Sequence, residues 1–233
     1  MDELAGTTIG RTFNQYAAGA RAPLLCERLA RYLDERDEAP ILMVGEAPGY
    51  RGARVSGIPF TSERQLTGAG PAEATATIVQ RVLVELGLAD DVLLWNVVPT
   101  HPGTDASNRR PTSVEVRAGT AFVRELACGR YVIAVGRIAH SELGGEYVRH
   151  PSHGGAEAFG RGLRLLTTRA GIEPSAAANG ARFDDGCFPC PPPEPGTCMP
   201  SGGTGVNRFR ADQAERGVES GPWAERCRAT REG

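Results

Sequence analysis

The chain alternates short, continuous apolar runs with longer segments in which apolar residues recur every three or four positions. Runs that are apolar on both faces are typical of buried parallel strands, and the longer period is typical of amphipathic helices. The runs predict strands at 40–45, 91–98 and 131–136, with a short fourth strand at 146–149. The helical spacing predicts helices at 23–36, 72–86, 112–127 and 155–166. The third helix opens with a capping-box pattern, Thr112-x-x-Glu115.

This alternation of strand and helix predicts an α/β fold, a three-layer α/β/α sandwich with a central, mostly parallel four-stranded sheet. In such sheets, ligands bind beyond the carboxyl ends of the strands. The segments that follow the predicted strands hold most of the polar, Gly-rich and Pro-rich sequence, and they cover 46–60, 96–111, 136 onward and 150–155. We therefore expect the functional site to lie where these segments converge, at one edge of the sheet.

The aliphatic residues that build a core become rare near residue 170. Residues 171–233 contain no Leu, one Ile and two Val, together with 10 of the 30 Gly and 8 of the 17 Pro. Such a segment buries too little apolar surface to offset its conformational entropy. The sequence therefore predicts a folded domain over 1–168 and a disordered Gly/Pro-rich tail over 169–233.

Charge and residue usage exclude several classes of protein. The formal net charge is −2, and all 26 basic residues are Arg. This excludes a uniformly basic nucleic-acid binder and any chemistry that depends on lysine. No apolar run approaches the length of a membrane span, and the N-terminal segment lacks the apolar stretch of a signal peptide. We expect a cytoplasmic protein with no membrane partner.

The cysteines fall into two groups. Cys26 and Cys128 lie in helical patterns and are expected in the core. The other four lie in the predicted tail and are Cys187, Cys190, Cys198 and Cys227. The spacing Cys187-Phe-Pro-Cys190 fits half of a zinc site, but the tail offers no second close pair. Unligated thiols are the preferred interpretation, and we predict no metal.

Three short motifs follow the predicted strands. They are Gly45-Glu46-Ala47-Pro48-Gly49 with Gly57-Ile58-Pro59-Phe60 after the first strand, Asn96 at the end of the second, and His150-Pro151-Ser152 after the fourth. Taken singly, each fits a structural role as a turn, a capping amide or a structural histidine. The glycine-rich turn has neither the Gly-x-Gly-x-x-Gly spacing nor a following Lys, which disfavours a dinucleotide or nucleoside triphosphate site.

In this order and spacing, the motifs resemble the uracil-DNA glycosylase superfamily, nearest to its Gly-Glu-x-Pro-Gly branches, over about residues 25–165. The resemblance implies a monomeric DNA-repair enzyme that flips uracil out of DNA and hydrolyses its N-glycosidic bond, leaving an abasic site. These branches often carry an iron–sulfur cluster held by four cysteines. Because the predicted domain offers only Cys26 and Cys128, we expect no cluster and no other cofactor.

The resemblance also assigns roles to individual residues. The expected catalytic residues are Glu46, which orients or activates the attacking water, and His150, which donates a hydrogen bond to uracil O2. The residues expected to contact uracil are Ala47, Tyr50, Phe60 and Asn96. The residues expected to contact DNA are Pro48, Gly49, Arg110, Ser152, His153 and Gly154.

Among the uracil contacts, the resemblance implies that Phe60 stacks on the base and that Asn96 reads N3–H and O4. Tyr50 is expected to line the pocket near C5, where it could exclude the methyl group of thymine. Arg51, Arg54 and Arg109 lie near the same edge, although each alone is more typical of a solvated surface.

Two features leave alternatives open. Many members carry a bulky wedge after His-Pro-Ser, whereas this chain has His153-Gly154-Gly155, so the sequence does not decide between duplex and single-stranded substrates. The alternative functions are a catalytically idle member that only binds DNA, and an α/β nucleotide- or nucleoside-binding enzyme that uses the turn at 45–49.

Overall fold

Four short segments lie side by side in a parallel sheet, seen in a computed structural model that describes residues 2–172. The strands are β1 (Ile41–Gly45), β2 (Val92–Asn96), β3 (Tyr131–Val135) and β4 (Glu146–Val148). They lie in the order β2-β1-β3-β4, and all three pairings are parallel. The predicted α/β class and four-stranded sheet are therefore confirmed.

The four predicted helices are present within a few residues of their expected ends. They are α2 (Ala22–Glu35), α5 (Ala74–Glu85), α6 (Ser113–Ala127) and α8 (Ala156–Arg169). Four short helices were not predicted: α1 (Asp2–Gly6), α3 (Ala53–Ser56), α4 (Glu63–Thr67) and α7 (Arg137–Leu143). They are too short to develop a clear apolar period.

The sheet is covered on both faces, which gives the predicted three layers. One face packs Leu42, Val44 and Trp95 against the helices α2, α6 and α7. The opposite face packs Met43 and Ile133 against α5 and α8. Alternate residues of β1, β2 and β3 therefore enter different cores, which explains why these strands are continuously apolar.

The parallel arrangement brings the carboxyl ends of all strands to one edge of the sheet. Gly45 at the end of β1 lies beside Asn96 at the end of β2. The segment that begins at Arg149 leaves the same edge after β4. The polar segments singled out in the sequence therefore meet there, as expected for this topology.

The N-terminal segment supports the loops at this edge. Phe13 and His101 exchange two backbone hydrogen bonds of 2.9 Å. The buried Gln15 amide donates to the Pro99 carbonyl (2.9 Å), and the Tyr16 hydroxyl donates to the Gly57 carbonyl (2.8 Å). Residues before the first strand thus fix the loops that follow β1 and β2.

Three expectations concern positions beyond this part of the chain. The predicted tail, apart from its first residues up to 172, and the four cysteines Cys187, Cys190, Cys198 and Cys227 lie outside the described residues. The division into a domain over 1–168 and a tail over 169–233 stays a prediction. No helix within residues 2–172 is long and apolar enough to cross a membrane.

Candidate active site

A cavity of about 290 Å³ opens at the carboxyl edge of the sheet. Its volume lies near the lower end of the range for small-molecule sites, about 300–1,000 Å³. Nine of the residues predicted for the site line it: Glu46, Ala47, Pro48, Gly49, Phe60, Asn96, His150, Ser152 and His153. The further lining residues are Ala53, Glu73, Thr75, Pro102, Asn108 and Arg109. Tyr50, Arg110 and Gly154 are not among the lining residues.

The Phe60 ring packs directly over the backbone at Gly45. A Cβ atom at Gly45 would lie 2.2 Å from the Phe60 Cζ atom and 3.0 Å from the Asn96 Oδ1 atom, so only glycine fits there. Phe60 itself adopts a left-handed backbone conformation, with φ of 52°. Its carbonyl accepts a hydrogen bond of 3.2 Å from the Gln80 amide. The missing side chain at Gly45 therefore brings an aromatic ring and an amide together.

The Asn96 side chain is buried, with a relative exposure of 4 %. Within residues 2–172, its amide makes no hydrogen bond, so it is not a capping amide satisfied by its neighbours. Because the amide lines the cavity, it is free to bind a ligand that offers a matching donor and acceptor.

His150 is held as a neutral hydrogen-bond donor. The Ser152 backbone N–H, which can only donate, points at the Nδ1 atom of His150 (3.2 Å), and the Ser152 hydroxyl lies 2.7 Å from the same atom. Nδ1 is therefore the acceptor, and Nε2 carries the proton of the neutral ring. Burial, together with the nearby His153, lowers the pKa of His150 below its ordinary value of 6.5. Ser152, predicted to hold a phosphate, thus also orients the histidine.

Glu46 presents a partly buried carboxyl group to the cavity, and this group has no hydrogen-bond partner in the part of the chain that the structure describes. Burial raises the pKa of Glu46 above its ordinary value of 4.5, and the Arg110 guanidinium partly offsets this rise. Arg110 therefore acts on the cavity electrostatically without lining it. A partly desolvated carboxylate of this kind is suited to accept a proton from water.

Glu73 contributes a second carboxyl group that the sequence did not indicate. It directly precedes α5, where its carbonyl accepts hydrogen bonds from the backbone and side chain of Thr77. Its side chain does not cap the helix and instead lines the cavity. A lone Glu between a loop and a helix carries no sequence signal for such a role.

The fully buried His101 connects the two loops that flank the cavity. Its Nδ1 atom lies 2.7 Å from the Pro48 carbonyl oxygen, and its Nε2 atom lies 2.8 Å from the Thr104 carbonyl oxygen. The imidazole therefore ties the turn that carries Glu46 to the loop that carries Asn108.

Two residues at this edge make contacts that the sequence did not indicate. Arg109 is partly exposed, and its guanidinium donates two hydrogen bonds to the buried Glu115 (2.6 and 2.7 Å). The expected contact of Tyr50 with uracil stays a prediction, and Tyr50 is not among the residues that line the cavity. The Tyr50 backbone N–H donates to Asn108 Oδ1 (2.8 Å), and its ring lies under the guanidinium of Arg51.

The described residues do not fit an iron–sulfur cluster. Cys26 on α2 and Cys128 after α6 are the two cysteines between residues 2 and 172, and a cluster takes four thiolates. In that part of the chain, no group of three or more Cys, His, Asp or Glu side chains could hold a metal ion. The expected absence of a cluster stays a prediction, because the other cysteines lie beyond it.

Fold and cavity together define a class: a parallel α/β sandwich with a strand-end pocket built from an aromatic ring, an unpaired amide, a neutral histidine and two carboxyl groups. The family model described as the Uracil DNA glycosylase superfamily matches residues 33–210. The chain therefore belongs to this superfamily, whose members are DNA glycosylases.

The fold is also similar to a solved structure, the crystal structure of wild-type SMUG2 from Pedobacter heparinus. The TM-score is 0.51 at 14% sequence identity, and the match covers 72% of this chain and 91% of that chain. At this identity, the similarity concerns the fold alone. A comparison with curated protein sequences finds no match.

Proposed function

We propose that this protein is a DNA glycosylase that hydrolyses the N-glycosidic bond between uracil and deoxyribose and leaves an abasic site. The observation that carries the proposal is the buried, unpaired amide of Asn96 beside the ring of Phe60. A planar base with one ring N–H and one adjacent carbonyl would satisfy this amide. Uracil in DNA reaches such a pocket by rotating out of the base stack.

Base recognition in this proposal depends on the polarity of one amide. Asn96 Oδ1 accepts the uracil N3–H, and Asn96 Nδ2 donates to O4, while the Phe60 ring stacks on the base. Cytosine presents the opposite pattern at these two positions, so two unfavourable contacts replace two hydrogen bonds. Each buried polar group left unpaired costs about 1–3 kcal/mol, which disfavours cytosine.

His150 stabilises the leaving group. When the glycosidic bond breaks, negative charge builds on the uracil ring, including O2. The hydrogen bonds from Ser152 to Nδ1 support an Nε2–H that donates to O2. A preorganised donor of this kind contributes roughly 3 kcal/mol to transition-state stabilisation. Because the pKa of His150 is lowered, the ring stays neutral at pH 7 and needs no proton transfer.

Glu46 activates the water molecule that attacks the sugar. Its ionised carboxylate orients the water and accepts its proton as oxygen attacks the sugar carbon that loses the base. Burial raises the pKa of this group, so activity is expected to fall on the acid side at a pH above 4.5. The DNA strand that carries the base would contact Pro48, Gly49, Ser152, His153 and Gly154, with Arg110 supplying positive charge.

The test uses an end-labelled oligonucleotide with a single uracil, in single- and double-stranded form, followed by alkali treatment. Cleavage at the uracil position supports the proposal. A retarded but intact strand indicates a DNA-binding protein without activity. A strand that is neither cleaved nor retarded indicates a different α/β enzyme. Each of these two outcomes contradicts the proposal.

The role of Glu46 is checked by Glu46→Gln under single-turnover conditions, which separate chemistry from binding. We expect the rate to fall roughly 10²- to 10⁴-fold, the usual contribution of a general base. Glu27→Gln is the matched control, because Glu27 is exposed on α2 and pairs with Arg31. A wild-type rate for Glu46→Gln would mean that another group orients and activates the water.

A further inference from the structure

The carboxyl group of Glu73 fills a space that two glycines leave open. A Cβ atom at Gly49 would lie 1.8 Å from the Glu73 Oε1 atom, and a Cβ atom at Gly52 would lie 1.8 Å from the Oε2 atom. No residue larger than glycine fits at either position while Glu73 stays in place. The carboxyl group therefore packs against the backbone of the turn that carries Glu46.

The backbone of Glu73 is fixed, so this position is not a chance excursion of a surface side chain. The Glu73 N–H donates to the hydroxyl of the fully buried Ser62 (2.9 Å), and the Glu73 carbonyl begins the hydrogen-bond ladder of α5. Ser62 is itself held by the capping box of α4. The Cα atom is thus tied to two helices, and the side chain projects from there into the cavity.

The carboxyl group has no polar partner among residues 2–172. Burial alone raises the pKa of Glu73 above its ordinary value of 4.5. A desolvated carboxyl group without a partner contributes nothing to stability that an apolar or small residue could not. Its presence at the wall of the cavity is better explained by a role in selecting the base that the cavity binds.

The topology indicates which part of a bound base Glu73 would face. Asn96 ends β2 at one side of the sheet, whereas His150 follows β4 at the other side. A uracil with N3 and O4 on Asn96 and O2 on His150 directs C5, which follows C4 around the ring, away from His150. Helix α5 leads into β2, and Glu73, which directly precedes this helix, lines the same cavity as Asn96.

We propose that Glu73 closes the C5 side of the base cavity and is the residue that discriminates uracil from 5-methylated uracil, that is, thymine. This inference rests on the proposed function. A methyl group at C5 would press on the Glu73 carboxyl group, which packs against the backbone at Gly49 and Gly52. The role expected of Tyr50 from the resemblance thus passes to Glu73, which lines the cavity where Tyr50 does not.

The experiment compares single-turnover excision of uracil and thymine placed at the same position of the same oligonucleotide. In Glu73→Ala, the space beside Gly49 and Gly52 becomes free, and the uracil-to-thymine rate ratio is expected to fall by roughly 10- to 200-fold, the discrimination that one methylene commonly gives. Glu73→Gln, which keeps the volume of the side chain, is expected to keep the ratio within a few-fold. Glu85→Ala, at the exposed far end of α5, is the control that leaves the ratio unchanged.

Three results would overturn the inference: an unchanged ratio in Glu73→Ala, an equal loss of discrimination in Glu73→Gln, or a loss confined to Tyr50→Ala. Binding of oligonucleotides with 2′-fluorinated deoxyuridine or thymidine, which resist cleavage, gives a second measurement independent of catalysis. If the wild-type protein excises nothing, the proposed function fails, and the binding ratio of wild type and Glu73→Ala still decides the role of Glu73. Circular dichroism melts confirm that each variant is folded.

Discussion

Replacing Glu115 by Gln tests whether a buried carboxylate anchors one wall of the candidate site. Glu115 is 1% exposed and accepts two hydrogen bonds from the Arg109 guanidinium, which lines the cavity. It also accepts hydrogen bonds from the backbone N–H groups of Thr112 (2.8 Å) and Arg11 (3.0 Å). Glu115 therefore joins the start of α6, the loop before it and the N-terminal segment.

The magnitude follows from the pKa of the carboxyl group. The hydrogen bonds from Arg109, and then those from Thr112 and Arg11, outweigh the effect of burial and lower the pKa of Glu115 from its ordinary value of 4.5 to about 2. At about 1.4 kcal/mol per pH unit, this difference corresponds to about 3 kcal/mol of folding free energy at pH 7. Because the pKa is lowered by folding, the stabilisation is fully present above pH 4.5 and is lost as the pH falls towards 2.

Urea unfolding of the wild type and Glu115→Gln at pH 7 and pH 3 measures this contribution. The variant is expected to be less stable by about 3 kcal/mol at pH 7, and by less than half of that at pH 3, where the wild-type advantage is being titrated away. Glu125→Gln, an exposed site on the same helix, should differ little from wild type at either pH. The reasoning is refuted if the difference between wild type and Glu115→Gln is the same at both pH values.

Two further predictions concern the site itself. A Cβ atom at Gly45 would displace the Phe60 ring. Gly45→Ala is therefore expected to lower the rate of single-turnover uracil excision by roughly 10²-fold, the usual cost of a misplacement of about 1 Å. A wild-type rate in this variant would show that the ring adjusts freely. Arg110 opposes the effect of burial on Glu46, so Arg110→Ala should raise the pKa of Glu46 and move the acid limb of the pH–rate profile to higher pH. The exposed Arg117→Ala on α6 is the control, and an unmoved limb in Arg110→Ala would contradict this electrostatic role.

Most of the sheet could be predicted because the strands β1, β2 and β3 are buried on both faces. A continuous apolar run such as 41–44 has few other structures available to it, and the glycine that ends β1 marks the beginning of the site. The capping box at Thr112 was equally readable, because both of its hydrogen bonds join residues three positions apart. Hydrogen bonds between residues this close in the sequence can be predicted from the sequence alone.

The residues that the sequence did not indicate owe their positions to contacts between distant segments. Glu73 contacts the backbone at Gly49 although the two short helices α3 and α4 lie between them in the sequence, and His101 joins Pro48 to Thr104 through its two ring nitrogens. No spacing along the chain encodes either contact. Tyr50 illustrates the converse, since Pro48 and Gly49 just before it line the cavity, whereas its own backbone N–H donates to Asn108.

The cavity is shaped as much by absent side chains as by those present. Gly45 leaves room for the Phe60 ring, and the turn that follows leaves room for the carboxyl group of Glu73. In the sequence these glycines predict only a tight turn, because the side chains that occupy the freed space come from later in the chain. Phe60 occupies its place in a left-handed conformation that costs a residue with a Cβ atom roughly 1–2 kcal/mol. Phe60 also belongs to the core on the face of the sheet that packs against α5 and α8, and truncation of a buried Phe costs about 3–5 kcal/mol. Packing of the ring therefore offsets the backbone strain and holds the ring beside Gly45 at the wall of the cavity.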